Sequence, residues 1–337
     1  MSLADRFVER FKNSEPPSFE IVSRRCLRSR FAGSSCDRCV DECPVQAIRV
    51  APGGLEFDPK RCVGCLACTA VCPAEALVGS DSRLAGAWTK VMVGQPAAFC
   101  CEKGIRTGEE IVLPCLGALS EEQLLACIIR TGQSVRLHLF PCRGCRVSGV
   151  PELLTRRLEK FGARVGGGGL VPLVKLIRRE EEVTQSEGPA SRRAFFRTCL
   201  DISFHAATET IAILQSESES KEGHAHKHQP ARLAFLRQAL ADCSEEAVRL
   251  AMLPLFFTLA VNAGCNFCGG CAGMCPTGAL KNIREEGAKQ LQFAWDCCSG
   301  CGLCLEFCPQ KALNLSAGRS PDSLGPECDV LLRMDIA

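Results

Sequence analysis

Residues 62–77 read CVGCLACTAVCPAEAL. The spacing is C-x2-C-x2-C-x3-C-P, and the fold follows from it. The same pattern returns as CNFCGGCAGMCPTGAL at 265–280 and CSGCGLCLEFCPQKAL at 298–313. A fourth stretch, CLRSRFAGSSCDRCVDECP at 26–44, keeps the tail as Cys36-x2-Cys39-x3-Cys43-Pro44 but changes the head. Gly33 stands where the first cysteine is expected, and the nearest upstream cysteine is Cys26. Internal repetition therefore organises the chain. Two pairs of runs lie near its two ends, and Phe57 and Phe293 each stand five positions before a run.

This spacing suits iron–sulfur chemistry. A cubane has four iron corners, each needing a thiolate. Three cysteines at two-residue intervals wrap three corners within one tight loop, and the fourth, before proline, ligates the other cluster of a pair. Proline fixes φ and carries no N–H, which stops one loop and launches the next helix. Small residues between the cysteines (Gly64, Ala67, Gly269, Gly270, Gly300, Gly302) let backbone amides approach the inorganic core. Zinc also uses C-x2-C pairs, but a zinc knuckle wants two pairs rather than three successive cysteines and a Cys-Pro.

The complete runs resemble those of the bacterial two-[4Fe-4S] ferredoxins, over about residues 21–85 and again about 256–318. Carried over by position, the resemblance implies four [4Fe-4S] sites. Two would be Cys265, Cys268, Cys271 with Cys308, and Cys298, Cys301, Cys304 with Cys275. A third would be Cys62, Cys65, Cys68 with Cys43. The fourth has Cys36, Cys39 and Cys72, and Cys26 is expected to complete it, with the extra residues bulging out to carry Arg28, Arg30 and Phe31 beside the cluster. Cys297 falls off the pattern and is expected not to ligate.

Between the modules the pattern changes. PAAFCC at 96–101, EEIVLPC at 109–115 and SVRLHLFPC at 134–142 read as short buried strands. LSEEQLLACIIRTG at 119–132 reads as an amphipathic helix capped by Ser120, with Cys127 on its apolar face. Strand and helix alternating predict a small α/β domain with a parallel sheet. Cysteines close the strands, where open α/β sheets place their sites. This segment partly resembles the iron–sulfur delta subunit of methyl-viologen-reducing hydrogenase, through FCC, CLG and Cys-x-Gly-Cys. The resemblance implies a [2Fe-2S] cluster on Cys101, Cys115, Cys142 and Cys145. The chain departs from it at Glu102, Lys103 and Gly104, where that family has a further cysteine, and in the closer final pair. A zinc site and redox thiols are the competing readings there.

The expected fold class is α+β: two ferredoxin-like two-cluster modules flanking a small α/β domain and a helical linker. The boundaries read as an amphipathic docking helix at 1–20 (Leu3, Phe7, Val8 and Phe11 on one face), a module at 21–85, the α/β domain at 86–180, a linker at 181–255 and a module with a tail at 256–337. Helices are expected at about 191–214, capped by Ser191, and about 230–253. QSESESKEGHAHKHQP between them reads as mobile, with His224, His226 and His228 solvated rather than ligating. Arg24, Arg25, Arg28, Arg30 and Arg38 make the first loop basic, either as a solvated face or as a patch for an acidic partner.

Composition narrows the function. The chain has 337 residues, net charge +2 and 26 cysteines. That balance gives no support to nucleic-acid binding. The most apolar run, LAMLPLFFTLAV at 250–261, contains Pro254 and is shorter than the roughly 18 residues of a membrane span. No signal peptide is read at the start, and SRRAFF at 191–196 is internal, so a reducing cytoplasmic setting is expected. GGGG at 166–169 lacks a P-loop lysine, and no dinucleotide glycine pattern is present. The expected function is single-electron relay between a donor and a catalytic redox partner. The resemblances imply partners among hydrogenase, formate dehydrogenase or heterodisulfide-reductase-like subunits. The alternative is a redox enzyme reducing a disulfide or small molecule at the central cysteines.

Overall fold

Every Cys-Pro in the repeats is followed by a left-handed backbone position three residues after the cysteine: Gln46 (φ 51°), Glu75 (φ 48°), Gly278 (φ 74°) and Lys311 (φ 48°). Only a sharp reversal needs such a residue. Each run therefore ends in a turn that sends the chain back across its own cysteine loop. The computed structural model describes residues 19–92, 98–164, 173–183, 227–241, 256–285, 287–319 and 328–335. The expected N-terminal helix, apart from its last two positions, the helix expected from Ser191, and His224 and His226 lie outside the described residues.

In the N-terminal module, β1 (Phe19–Ile21) leads to the short helices α1 (Leu27–Arg30) and α2 (Arg38–Asp41). The hairpin β2 (Ile48–Ala51) and β3 (Gly54–Phe57), the helix α3 (Ala67–Val71) and β4 (Leu77–Gly79) follow. β1 pairs antiparallel with β4, Phe19 opposite Gly79, while Phe57 closes the hairpin opposite Ile48. First strand thus meets last, and the middle two meet each other.

The helix α4 (Ser82–Met92) crosses the boundary expected at 85/86, because Ala87, Trp88 and Val91 pack into the central core. That core belongs to a sheet of four parallel strands in the order β6-β5-β7-β8: β5 (Ala98–Cys100), β6 (Ile111–Val112), β7 (Val135–His138) and β8 (Val174–Ile177). The strand expected over 109–115 pairs only at Ile111 and Val112. Leu113 makes one more bond to the Cys100 carbonyl, and Pro114 has no N–H to continue the ladder. α5 (Glu121–Thr131) and α6 (Val150–Arg164) pack nearby, α5 burying Leu124, Leu125, Cys127 and Ile128.

After the linker comes α7 (Ala231–Ala241), the described part of the helix expected over 230–253; it packs on α5. The C-terminal module then repeats the first: β9 (Phe257–Val261), α8 (Gly270–Met274), the hairpin β10 (Leu280–Glu285) and β11 (Ala288–Phe293), α9 (Leu303–Phe307) and β12 (Leu313–Ala317). β9 pairs with β12 and Phe293 closes the hairpin opposite Leu280. The tail adds β13 (Asp329–Asp335), antiparallel to β11.

α5 is the best-terminated helix of the central domain. Ser120 accepts from the Gln123 amide, Gln123 accepts from the Ser120 amide, and Gly132 ends the helix at φ 63°. Ser120→Ala should cost about 1 kcal/mol and lower the thermal midpoint by about 2–4 °C. A melt monitored by circular dichroism checks it.

Candidate cluster sites

The three complete runs share one backbone. Two and four positions after the first cysteine the chain turns left-handed: Gly64 and Leu66, Phe267 and Gly269, Gly300 and Gly302, with φ between 57° and 77°. Leu66 and Phe267 hold this conformation without being glycine, a strained state that surrounding structure must fix. The reversals aim amides inward. Gly64 and Gly300 donate to Cys62 Sγ (3.4 Å) and Cys298 Sγ (3.5 Å). The Ala four residues after a Cys-Pro cysteine does the same. Ala47, Ala76 and Ala312 donate to Cys43 Sγ (3.2 Å), Cys72 Sγ (3.2 Å) and Cys308 Sγ (3.5 Å). In the remaining run Thr277 Oγ1 lies 3.6 Å from Cys275 Sγ. The Ala-Leu or Ala-Ile after each run is therefore part of the site. Its repetition was the available signal.

These loops gather the cysteines into quartets. Cys275, Cys298, Cys301 and Cys304 line one pocket. Cys265, Cys268, Cys271 and Cys308 line another. Burial pushes the Cys271 and Cys301 thiols up to about 11, and neighbouring thiols of the same quartet push further. Burial also raises Cys298 and Cys304, again with help from their own quartet.

The N-terminal module is built alike. Cys65 and Cys68 are raised by burial and then by Cys43 and Cys62. Cys39 is raised to about 12 by burial, then by Cys72, Cys36 and Cys26. Cys36 is raised by burial, and both Cys72 and Cys26 add to the rise. Cys26 thus stands beside Cys36, Cys39 and Cys72, buried in one cluster with Cys39, Cys68 and Cys72. Its run differs as the sequence suggests. In place of the left-handed pair, α1 carries the chain from Cys26, and Arg28 Nε donates to the Cys36 carbonyl.

The central cysteines also converge. Burial raises Cys115 to about 12, with Cys65, Cys142 and Cys101 adding to it. Cys142 is raised to about 11 by burial, then by Cys101 and Cys145. A Cβ on Gly117 would lie 2.5 Å from the Cys65 carbonyl oxygen, so the Cys115 loop rests on the N-terminal module. Glu110, unremarked in the sequence, shapes the loop below. Its buried carboxylate accepts from the amides of Arg106 (3.0 Å), Thr107 (3.0 Å) and Gly108 (2.9 Å). Cys127 is fully buried in the core, and Cys297 lies apart from the quartets' cavities, with Arg237 3.9 Å from its sulfur.

Two readings of the polar segments change. The arginines of the first loop divide: Arg24 and Arg38 are exposed, whereas Arg25 and Arg30 are not part of a solvated face. Arg25 and Arg30 are buried, and Arg38 donates to the Gly300 carbonyl (2.8 Å) in the other module. His228 is likewise not solvated. Its Nε2 lies 2.6 Å from Glu75 Oε2, and its amide donates to the Pro276 carbonyl. Beside it Lys227 Nζ donates to the carbonyls of Ala272 (3.0 Å), Gly273 (2.6 Å) and Cys275 (2.8 Å), capping the carboxyl end of α8. The end of the linker is thus a strap holding the two modules.

Comparisons with known proteins find ferredoxin-type segments in the N-terminal and C-terminal modules. A 4Fe-4S dicluster domain model matches residues 34–76, and a 4Fe-4S binding domain model matches residues 291–314. Polyferredoxin protein MvhB of Methanothermobacter marburgensis is 42% identical over 64 residues, 16% of this chain and 16% of that protein. A ferredoxin of Alicyclobacillus acidocaldarius is 42% identical over 57 residues, 17% of this chain and 67% of the ferredoxin. Hydrogenase-4 component A of Escherichia coli is 32% identical over 72 residues, 21% of this chain and 32% of that protein. The chain thus spans under a third of the polyferredoxin and the hydrogenase component that it matches. No solved structure matches it. Among the described residues no helix is long and apolar enough to cross a membrane.

The strap has a titratable anchor. Burial would raise Glu75, but hydrogen bonds from His228 and the Ala231 amide hold it below the ordinary carboxylate range. A depressed folded-state value gives stability that is complete above the unfolded value and is lost as pH falls through the lower, folded one. At neutral pH Glu75 is therefore ionised and its contribution is complete. Glu75→Ala should cost about 1–3 kcal/mol, and hydrogen exchange at residues 228–231 should speed up while α5 keeps its protection.

Proposed function

The chain belongs to the ferredoxin family, and from that premise we propose that it relays single electrons through four [4Fe-4S] clusters between a donor and a catalytic redox partner. The observation that carries this reading is the fourfold repeat of a cysteine quartet with backbone amides turned toward its sulfurs. Bound in such a quartet, a [4Fe-4S] cluster supplies a one-electron couple.

The residues do the rest. Cys265, Cys268, Cys271 and Cys308 hold one site, and Cys275, Cys298, Cys301 and Cys304 the next. Cys43, Cys62, Cys65 and Cys68 hold the third, and Cys26, Cys36, Cys39 and Cys72 the fourth. Ligation requires the thiolate form, so cluster loading releases thiol protons. The amides of Ala47, Ala76 and Ala312 then stabilise negative charge on sulfur, which favours the reduced state. The left-handed positions keep these amides turned inward, so little reorganisation accompanies each electron.

Cys101, Cys115, Cys142 and Cys145 form a fifth site in this reading, suited to a [2Fe-2S] cluster, because their loops converge beside Cys65. The relative named as a hydrogenase component supports a partner among hydrogenase subunits; formate dehydrogenase or heterodisulfide-reductase-like subunits remain in this reading through the resemblance of the central segment alone. A second reading, reduction of a disulfide or small molecule at the central thiols, is favoured by the partial exposure of Cys142 and Cys145. Turnover by the isolated chain with an artificial reductant, abolished by Cys142→Ser with the [4Fe-4S] signals intact, would select it.

Anaerobic purification with iron and acid-labile sulfide counts tests the relay. About 16 irons per chain are expected for four cubanes, and about 18 with the central cluster; about 8 would overturn the reading. Cys26→Ala should remove one iron and give a [3Fe-4S] signal in the electron paramagnetic resonance (EPR) spectrum. Unchanged iron content and spectrum would sink the Cys26 assignment.

A further inference from the structure

The ligand loop of one module grips the ligand loop of the other. Arg38, one residue before Cys39, donates 2.8 Å to the carbonyl of Gly300, one residue before Cys301. Ser35, one residue before Cys36, donates from its amide to Glu306 Oε1 (3.1 Å), and its hydroxyl contacts the same oxygen. Glu306 lies between Cys304 and Cys308. Behind these contacts Phe31 meets Phe307 edge to face at 5.3 Å. Leu27 and Ala74 share a small buried core with Met274 and Leu303, against which Cys36 and Cys301 pack.

We propose that this interlock is the electron junction of the molecule: the Cys26/36/39/72 and Cys275/298/301/304 sites face each other across it, and the buried guanidinium of Arg30, carried by the first module, is a positive charge beside the site of the second. The proposal rests on the reading of the quartets as cluster sites and adds their order. It makes two ferredoxin modules one line rather than two independent carriers.

The remaining contacts order the rest of the line. Within the first module Cys39 neighbours Cys68, and within the second Cys271 neighbours Cys304. At the near end Gly117 touches Cys65, so the central thiols adjoin the Cys43/62/65/68 site. At the far end the Cys265/268/271/308 site carries Cys268, which is exposed to solvent. The two sites of the interlock are therefore the inner ones.

Arg30 belongs to α1, the helix that replaces the missing head of the first run, and its neighbours Leu27 and Phe31 make the apolar part of the interlock. It is buried with 5% of its surface exposed. It is electrostatically coupled to Cys275 and Cys301, ligands of the site in the other module. A buried cation favours the more negative, reduced state of any cluster near it, and a low local dielectric strengthens that effect. Arg30 is thus a positioning and potential-setting residue for the Cys275/298/301/304 site, supplied by the other module, and not a ligand.

The test is an EPR-monitored redox titration of the full chain purified anaerobically, with iron counted in every sample. Arg30→Gln should shift one of the four [4Fe-4S] potentials, that of the Cys275/298/301/304 site, downward and leave the other three in place. Arg30→Lys, which keeps the charge, should hold all four near wild type. Four equal shifts, or none, would overturn the proposal. So would a lysine variant that shifts the potentials like the glutamine one at full iron content. If Arg30→Gln loses iron, the wild type decides. Spin–spin broadening between the inner pair should disappear in Arg38→Ala combined with Phe31→Ala, with iron retained; persistent broadening would overturn the junction. A wild-type chain that holds fewer than four clusters defeats the relay reading itself, an outcome distinct from a full complement that ignores Arg30.

Discussion

Each Cys-Pro cysteine packs into the quartet of the neighbouring run, and this exchange is the constraint from which the architecture follows. Cys43 lies with Cys65 and Cys68, Cys72 with Cys36 and Cys39, Cys275 with the 298–304 loop, and Cys308 with Cys271. Two runs that exchange cysteines must lie antiparallel and close. Their flanking strands are then brought together, first with last, as β1 with β4 and β9 with β12. Such non-local pairings carry a loop-closure cost that short strands repay poorly. Metal binding supplies free energy that pairing of three to five residues does not, so folding and cluster loading are one process in modules of this size.

The central domain has a different source of stability. Its parallel strands bury Phe99, Ile111, Leu113, Val135 and Leu137 completely, and α5, α6 and α7 add a further apolar layer. That core extends to Cys65 and Ala67 of the first module and to Phe256 of the second. The two modules are therefore attached to a conventional hydrophobic core. Fixed spacing between redox sites needs such an attachment.

Much of this was legible in the residues. The spacing of cysteines and prolines marked the two modules, because inorganic geometry dictates that spacing regardless of context. Alternating strand and helix patterns marked the parallel sheet, and Ser120 marked the start of α5. What escaped depended on contacts between distant segments. Burial of Arg25 and Arg30 escaped because charge density alone does not reveal that a facing module covers part of the loop. His228 looked like part of a polar loop because its partner, Glu75, lies far away in sequence and is presented by a left-handed turn. The boundary at 85/86 failed because α4 begins beside one module and buries its far end in another core.

The placement of charge explains why the basic loop is folded inward. Burial disfavours the extra negative charge of a reduced cluster, so an enclosed site starts from a lower potential than an open one. Cys26, Cys39, Cys68 and Cys72 are all buried, whereas Cys268 in the outer C-terminal loop is exposed. Left uncompensated, that contrast would set the enclosed sites well apart from the open one and impede exchange along the chain. Arg30 is buried beside Cys275 and Cys301, and Arg38, at the surface, is bonded to the facing module. Their charge opposes the desolvation of the inner sites, while solvent supplies the same service at the outer one. The altered head of the first run thus has a physical use: lengthening the loop between Cys26 and Cys36 makes room for a helix that carries a cation to the junction.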